Sequence, residues 1–245
     1  MSDLELDRTY RRDDSGRRVK LIQEWLSLHG YHVKIDGGFG PATEAALRWF
    51  QTRHGLPANG MADAQTFEHL VAPMTAALAP ITPQGTQLGG LVAAYAKQHL
   101  GQRPREIGGQ NRGPWVRLYM DRREGPEWPW CAGFASYCLR QAADTLKVSM
   151  PVEASVSCDS LAASAREGDR LLAQPAKRDR ARIGPGSIFL SRRTATDWTH
   201  TGIVLATEPE VFQTIEGNTN DDGSREGYEV CARIRAYKDV DFIVI

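Results

Sequence analysis

The sequence is poor in cysteine, carries no surplus of charge and contains no long hydrophobic run. Its four cysteines among 245 residues match neither a CxxC zinc pattern nor a dense disulfide framework. The 30 basic residues balance the 30 acidic ones, which argues against nucleic acid or an anionic membrane as the partner. No apolar stretch reaches the roughly 18 residues of a membrane span, so none is predicted.

The first residues, MSDLELDRTYRRDD, also lack the apolar stretch of a secretory signal. We therefore expect a protein that is made in the cytoplasm without a signal peptide and that folds in a reducing compartment. With 41% hydrophobic and 24% charged residues, the chain has the balance of a globular protein. Its length predicts about one to two domains, and we expect a monomer.

Residues 12–72 carry the pattern of three short helices. Val19, Ile22 and Leu26 recur at helical spacing, and the Asp-Gly-Gly turn at residues 36–38 precedes a second helix. Asp63 is expected to cap the third helix. The residues that this stretch shares with a known family are Val19, Leu21–Gln23, Leu26, Gly30–Tyr31, Asp36–Gly37, Phe39–Thr43, Phe50–Gln51, Gly55–Leu56, Gly60, Asp63, Thr66 and Leu70.

These residues resemble the peptidoglycan-binding-domain family of three-helix modules. The resemblance implies a small all-α domain that attaches to the cell wall, with bacterial peptidoglycan as its partner. Residues 73–89 are rich in Pro, Ala, Thr and Gly, and we predict a semi-extended, solvated linker because proline breaks helices. The histidines of this half show no HxH or HExxH spacing, so no metal site is predicted.

Residues 90–245 begin with helical periodicity and change to strand-like segments near residue 187. Five short strands are predicted at 187–191, 200–206, 211–216, 228–234 and 241–245, with Gly-, Pro- and Asp-rich turns between them. Helices followed by an antiparallel sheet predict an α+β domain.

A cysteine stands at a predicted helix start. Pro129 favours an extended residue before it and a helix after it, which puts Cys131 in the first helical turn. Unpaired backbone N–H groups and the helix dipole favour a thiolate there. Cys138 lies two turns further, about 10 Å along the axis, and a disulfide tolerates a Cα separation of only about 7 Å. Cys138, Cys158 and Cys231 are therefore interpreted as small buried hydrophobic residues.

Two histidines lie beyond residue 72, His99 and His200. His99 lies in a predicted helix and is interpreted as structural, whereas His200 opens a predicted strand. A cysteine at a helix start and a histidine at a strand start form the layout of papain-like cysteine hydrolases. The third polar group is expected on the next strand, where Glu216 and Asn218 share a face if the strand continues to residue 218.

The second half also resembles a known family, over about residues 90–245. The matching segments, in family order, are Asn111–Pro114 with Tyr119, Pro129–Ala132 with Phe134, Gly184–Ile188, His200–Val204 and Ile215–Asn218. They resemble the CHAP family of cysteine amidases and peptidases, which are related to the NlpC-type hydrolases. The resemblance implies a papain-like domain with Cys131 as nucleophile and His200 as base, and with no metal or cofactor. Glu216 is expected to orient His200, with Asn218 as its helper or substitute.

Other residues are candidates for binding the substrate. The Cys131 backbone N–H is the expected first oxyanion donor, and Gln110 and Asn111 are both candidates for the second. Residues 150–183 form a longer insertion than the family suggests, and we predict a helical flap over the cleft. The candidate walls of the groove are Trp115, Trp128, Trp130 and Trp198.

Together the two halves predict a modular peptidoglycan hydrolase that cleaves an amide bond. The bond is either N-acetylmuramoyl-L-alanine or one within the peptide stem or cross-bridge, and the wall-binding module raises the local substrate concentration. A phage endolysin, released by a holin or by lysis, is the preferred setting. A secreted toxin effector with an immunity protein is the alternative. Three other classes stay open: a catalytically silent wall-binding protein, a Cys/His acyltransferase or deamidase, and a glycosidase that uses Glu124 and Glu127.

Overall fold

The computed structural model describes residues 3–83, 85, 87–220 and 227–245, and in this part of the chain all long helices precede the main sheet. The helices are α1 (Arg17–Leu28), α2 (Pro41–Arg53), α3 (Ala64–Leu78), α4 (Leu88–Gly101), α5 (Pro114–Tyr119), α6 (Cys131–Leu146) and α7 (Cys158–Glu167). The strands are β1 (Leu171–Leu172), β2 (Ile188–Thr194), β3 (Asp197–Thr207), β4 (Val211–Thr219), β5 (Glu229–Ala236) and β6 (Val240–Ile243), with a 3₁₀ helix at Lys177–Arg182.

Helices α1 to α3 form the N-terminal domain, as the helical periodicity predicts. Its core contains Ile22, Leu47 and Phe50, all fully buried. The Asp63 side chain accepts a hydrogen bond of 2.8 Å from the Thr66 backbone N–H, which confirms the predicted cap of α3.

The predicted linker is in part helical, because α3 continues through Pro73 to Leu78. A proline inside a helix costs about 3 kcal/mol, but the residues that follow are held by packing, since Met74 and Ala77 are buried. Beyond the helix the chain stays attached to the second domain. The Gln98 side chain donates to the carbonyl oxygens of Ala77 and Ala79 at 3.0 and 2.8 Å. The stretch at 73–79 is therefore a packed connection and not a solvated spacer.

The two domains share a buried ionic interface. Arg117 of α5 is 9% exposed and donates to both carboxylate oxygens of Glu24 of α1, at 2.6 and 3.3 Å. Its other hydrogen bonds reach Asp3 and Glu124 at 2.9 and 2.8 Å. A buried charge is tolerated only when it is paired and hydrogen-bonded. The burial of Arg117 therefore depends on acceptors from both domains, Glu24 in the first and Glu124 in the second.

The second domain is an α+β unit with a six-stranded antiparallel sheet of order β1-β6-β2-β3-β4-β5. The five predicted strands correspond to β2 to β6. Helix α6 packs against β3 and β4, and a Cβ atom on Gly217 would lie 2.7 Å from Phe134 Cβ. Glycine at this position therefore lets the Cys131 helix approach the sheet closely.

The insertion at residues 150–183 contains α7, β1 and the 3₁₀ helix. Helix α7 packs against β3, and its apolar residues Leu161, Ala162 and Ala165 are fully buried. The predicted flap is wrong for this helix, because a helix with a fully buried apolar face is part of the core and not a mobile cover. No helix in the described ranges combines the length and the hydropathy that a bilayer crossing needs.

Candidate active site

Cys131 is the first residue of α6, with Trp130 in the N-cap position, as the sequence predicts. The side chain is 4% exposed. The first N–H groups of a helix have no intrahelical acceptor and carry a partial positive charge. The sulfur therefore lies where the backbone itself favours a negative charge.

His200 of β3 and Glu216 of β4 form a hydrogen-bonded pair on neighbouring antiparallel strands. The His200 Nε2 atom lies 2.8 Å from Glu216 Oε2, which leaves Nδ1 as the ring nitrogen for Cys131. The His200 imidazole and the Cys131 thiol are near enough for each to shift the pKa of the other. The structure thus brings together the three residues that the sequence nominates as nucleophile, base and orienter.

Glu216 is fully buried and accepts hydrogen bonds from more than His200. Arg235 of β5 donates to both carboxylate oxygens at 2.5 Å each, and Thr214 donates to Oε1 at 2.6 Å. Burial works against the ionised form, but the bonds from Arg235 and His200 outweigh it and lower the pKa of Glu216 to about 2. Glu216 is therefore a fixed negative charge at neutral pH. Sequence reasoning missed Arg235 because this residue lies two strands from His200, and no nearby sequence pattern links the two.

The thiol and the imidazole shift each other's protonation. The Cys158 thiol and then His200 hold the pKa of Cys131 well below its usual range, although burial opposes ionisation. Burial also lowers the pKa of His200, but hydrogen bonds to Cys131 and Glu216 outweigh it and raise that pKa to about 9. Both shifts favour the thiolate–imidazolium form of the pair, which is the reactive form of a cysteine nucleophile.

Cys158 corrects an interpretation made from the sequence. Its Sγ atom lies 3.9 Å from Cys131 Sγ, so it is part of the site and not only a small hydrophobic residue. It is the first residue of α7, after Ser157, whose side chain caps the helix by accepting from the Ser160 N–H. The Ser-x-x-Ser pattern and the acidic Asp159 are the sequence signals that could have placed Cys158 at a helix start. Cys138 is buried in α6 as expected, whereas Cys231 is only half-buried.

Among the described residues, the hydrogen bonds of Asn218 reach groups other than His200. Its Oδ1 atom accepts from the Trp130 backbone N–H at 3.1 Å, and its Nδ2 atom donates to the Gly227 carbonyl oxygen at 2.6 Å. The shared face with Glu216 is expected only if the extended conformation continues to residue 218, and this condition is not met, because Asn218 has φ +53° and the pairing register shifts after Glu216. Asn218 instead holds the residue that precedes the nucleophile.

The two candidate oxyanion donors have different surroundings. Asn111 is buried, with its Nδ2 atom donating to the Pro126 carbonyl oxygen at 3.1 Å and its Oδ1 atom accepting from Asn218 at 3.3 Å. Its side chain thus supports the loop and Asn218. Gln110 is exposed in the preceding turn. None of the hydrogen bonds given for Asn111 within the described residues reaches Cys131 or His200.

Most of the candidate groove tryptophans pack in the interior. Trp130 is fully buried and stacks on Tyr119, with ring centroids 5.5 Å apart. Trp198 is buried and donates to Asp241 at 2.8 Å, and Trp115 meets Trp25 of the first domain edge to face. Their assignment as groove walls is wrong, because their rings are covered by protein. Trp128 is half-buried, with the Arg123 guanidinium 5.1 Å from its ring centroid.

Sequence reasoning also missed an exposed aromatic residue on the first domain. Trp49 of α2 is 65% exposed and lines a groove with Tyr31, Val33 and Lys34. Its position opposite the buried Leu47 and Phe50 on the amphipathic helix is the signal that could have found it.

The remaining histidine of the second domain is structural, as expected. His99 is fully buried, and its two ring nitrogens are bonded to Tyr119 and Gln141 at 2.8 Å each. Burial lowers the pKa of His99 to about 4, so the ring is neutral. Within the described ranges, no cluster of three or more His, Cys, Asp or Glu side chains has the arrangement of a metal site.

Comparison with known proteins bears on the N-terminal domain. Residues 15–70 match the family model described as a putative peptidoglycan binding domain. The chain is 44% identical over 61 residues to a spore cortex-lytic enzyme of Bacillus cereus, which is 24% of each chain. It is 41% identical over 61 residues to a zinc D-Ala-D-Ala carboxypeptidase of Streptomyces albus G, which is 23% of each chain.

A solved structure, the crystal structure of the SleB N-terminal domain, is 39% identical and covers 28% of this chain and 94% of its own, with a TM-score of 0.27. The chain spans about a quarter of the length of the curated relatives that it matches. The similarity to the curated relatives therefore covers a segment about as long as the matched peptidoglycan binding domain and not the whole chain.

Proposed function

We propose that this chain is a peptidoglycan hydrolase that cleaves an amide bond of the wall peptide by a thiol mechanism. The observation that carries the proposal is the Cys131–His200–Glu216 arrangement in a chain whose residues 15–70 match a peptidoglycan binding domain. The names of two relatives, a cortex-lytic enzyme and a D-Ala-D-Ala carboxypeptidase, support a hydrolytic role on the wall. The second domain is then a papain-like domain of the CHAP type.

The proposed reaction begins with the thiolate. Cys131 Sγ attacks the carbonyl carbon of the scissile amide, and the carbonyl oxygen becomes an oxyanion near the start of α6, where backbone N–H groups can donate to it. The His200 imidazolium gives its proton to the leaving amine as the C–N bond breaks, which leaves a thioester on Cys131. Neutral His200 then takes a proton from water, whose oxygen attacks the thioester and releases the acid and the thiolate.

Glu216 serves this cycle by holding the ring and its charge. The bond from His200 Nε2 to Glu216 fixes the ring orientation, so that the same nitrogen faces Cys131 in both half-reactions. Arg235 and Thr214 fix the carboxylate in turn. No step of this mechanism requires a metal, which distinguishes it from the zinc chemistry that the name of the Streptomyces relative describes.

Trp49 and its groove are the surface that we propose for wall attachment. An exposed tryptophan beside Tyr31 offers flat apolar faces for sugar rings, and Lys34 offers a cation for the carboxylates of the peptide stem. The proposed setting is a phage endolysin, with a toxin effector as the alternative. Co-purification of an immunity protein from the source cells would identify the effector.

The decisive experiment is mass spectrometry of the products released from purified sacculi. We expect wild type to release free stem peptides if it is an amidase, or new peptide termini within the stem or cross-bridge if it is an endopeptidase. Cys131→Ser should lose roughly 10⁴-fold or more of this activity and keep its circular dichroism spectrum. Cys138→Ala, on the same helix, is the matched control and should remain active.

Release at the wild-type rate by Cys131→Ser would rule out the thiol mechanism. If neither protein releases a product but both are retained by sacculi, the chain is a wall-binding protein with a silent second domain. Transfer of the acyl group to an added amine, in preference to water, would instead indicate an acyltransferase.

A further inference from the structure

The first residues of two helices, α6 and α7, lie next to each other in the site. Cys131 begins α6 and Cys158 begins α7, and the two sulfur atoms are 3.9 Å apart. Both positions lie where helix dipoles favour thiolates. The hydrolytic mechanism uses only Cys131, so the second thiol has no part in acyl transfer.

We propose that Cys131 and Cys158 are a peroxide-sensitive thiol pair, in which Cys158 captures oxidised Cys131 as a disulfide and makes inactivation reversible. The proposal rests on the proposed function only for its activity readout, because the linkage itself depends on the position of the two sulfurs. A disulfide bond is about 2.05 Å long, so the two sulfur atoms, now 3.9 Å apart, must approach each other by about 1.9 Å.

The oxidant that we name is hydrogen peroxide, and the chemistry has two steps. The Cys131 thiolate attacks one peroxide oxygen, the O–O bond breaks, and the products are a sulfenic acid and hydroxide, which takes a proton to become water. The Cys158 thiolate then attacks the Cys131 sulfur, the S–O bond breaks, and a second water leaves after protonation. The two thiols lose two electrons in total, and these reduce the peroxide.

The electrostatics of the site favour this order. The hydrogen bond to Cys131 raises the pKa of Cys158 well above its usual range, and burial, the negative charge on Cys131 and Asp159 act in the same direction. These shifts favour a neutral thiol at Cys158 and a thiolate at Cys131. A sulfenic acid carries no such charge, so oxidation of Cys131 removes the main obstacle to ionisation of Cys158. The second thiol thus becomes nucleophilic when its target has formed.

The test oxidises the reduced full-length chain with hydrogen peroxide, blocks the remaining thiols and identifies linked peptides by mass spectrometry without reduction. Wild type should yield a Cys131–Cys158 linkage and lose activity on sacculi, and dithiothreitol should restore most of it. Cys158→Ser keeps a hydroxyl donor but cannot form the linkage. Its Cys131 should carry two or three added oxygens, and the fraction of its own activity that dithiothreitol restores should fall several-fold. Cys231→Ser, which changes a half-buried thiol on β5, is the control and should behave as wild type.

Absence of the linkage in oxidised, folded wild type would overturn the proposal, as would equal recovery of Cys158→Ser. A linkage that forms in a chain without any activity on sacculi would support the thiol pair and count against the hydrolase. The two proposals can therefore fail separately.

Discussion

Replacing Glu216 by glutamine should narrow the pH range over which the enzyme works. The substitution keeps the volume of a fully buried side chain but removes the charge that His200 and Arg235 contact. A hydrogen bond to a charged group contributes about 1.5–3 kcal/mol, and one pKa unit corresponds to about 1.36 kcal/mol. Loss of this stabilisation of the imidazolium should thus lower the pKa of His200 by about 1–2 units from its value of about 9.

The direction follows from the active ion pair. His200 is protonated below its pKa, so a lower pKa moves the alkaline limb of the activity profile to lower pH. When the His200 cation is less stable, it also stabilises the Cys131 thiolate less. The pKa of Cys131 therefore rises, and the acid limb of the activity profile moves to higher pH. The assay is kcat/KM for the clearing of sacculi, measured from acid to alkaline pH in Glu216→Gln and wild type.

Thr214→Val is the matched control for this experiment. It removes one hydrogen bond from an uncharged hydroxyl to Glu216 Oε1 and leaves the carboxylate charge in place, so its alkaline limb should stay near that of wild type. An unchanged alkaline limb in Glu216→Gln, at any overall rate, would refute the assignment of Glu216 as the residue that stabilises the His200 cation.

Three further substitutions test other parts of the structure. Arg117→Met leaves Glu24 buried without its main partner and should lower the free energy of unfolding, measured in urea, by about 3–5 kcal/mol. Adding Glu24→Gln to this variant should restore part of the loss. Full stability of the single variant would contradict the ionic interface. Asn218→Ala removes the acceptor for the N–H ahead of Cys131 and should lower stability by about 1 kcal/mol together with kcat; a change in KM alone would argue against this positioning. Trp49→Ala should reduce retention on sacculi without slowing cleavage of soluble wall fragments, whereas an alanine at Ile234, 70% exposed on β5, should leave retention unchanged.

The sequence predicts those parts of the site whose geometry is set locally. A proline two residues ahead is enough to place Cys131 at a helix start. Strand periodicity and turn residues place His200 and Glu216 on adjacent strands, with one residue of each strand facing the other. The order of helices and strands follows in the same way, because each element carries its own period and its own stop signals.

The features that the sequence does not reveal depend on contacts between distant residues. Pro73 is a helix breaker by propensity, yet α3 continues through it to Leu78, and Met74 and Ala77 after it are buried. Asn218 leaves the strand face because its φ is positive. Cys158 and Arg235 reach the site from other elements, 27 and 19 residues from the side chains that they contact. No short-range sequence pattern predicts such contacts between distant residues.

The continuous path from α3 through Pro73 to the second domain, together with the Arg117–Glu24 contact, has a mechanical consequence. A flexible linker would let the catalytic domain reach many positions around a bound module. The packed connection and the Arg117–Glu24 ion pair instead hold the nucleophile at a fixed distance and orientation from the first domain. Under the proposed function, the fixed distance between the groove of Trp49 and the sulfur of Cys131 would contribute to the choice of the amide that is cut, together with the fit of the scissile bond.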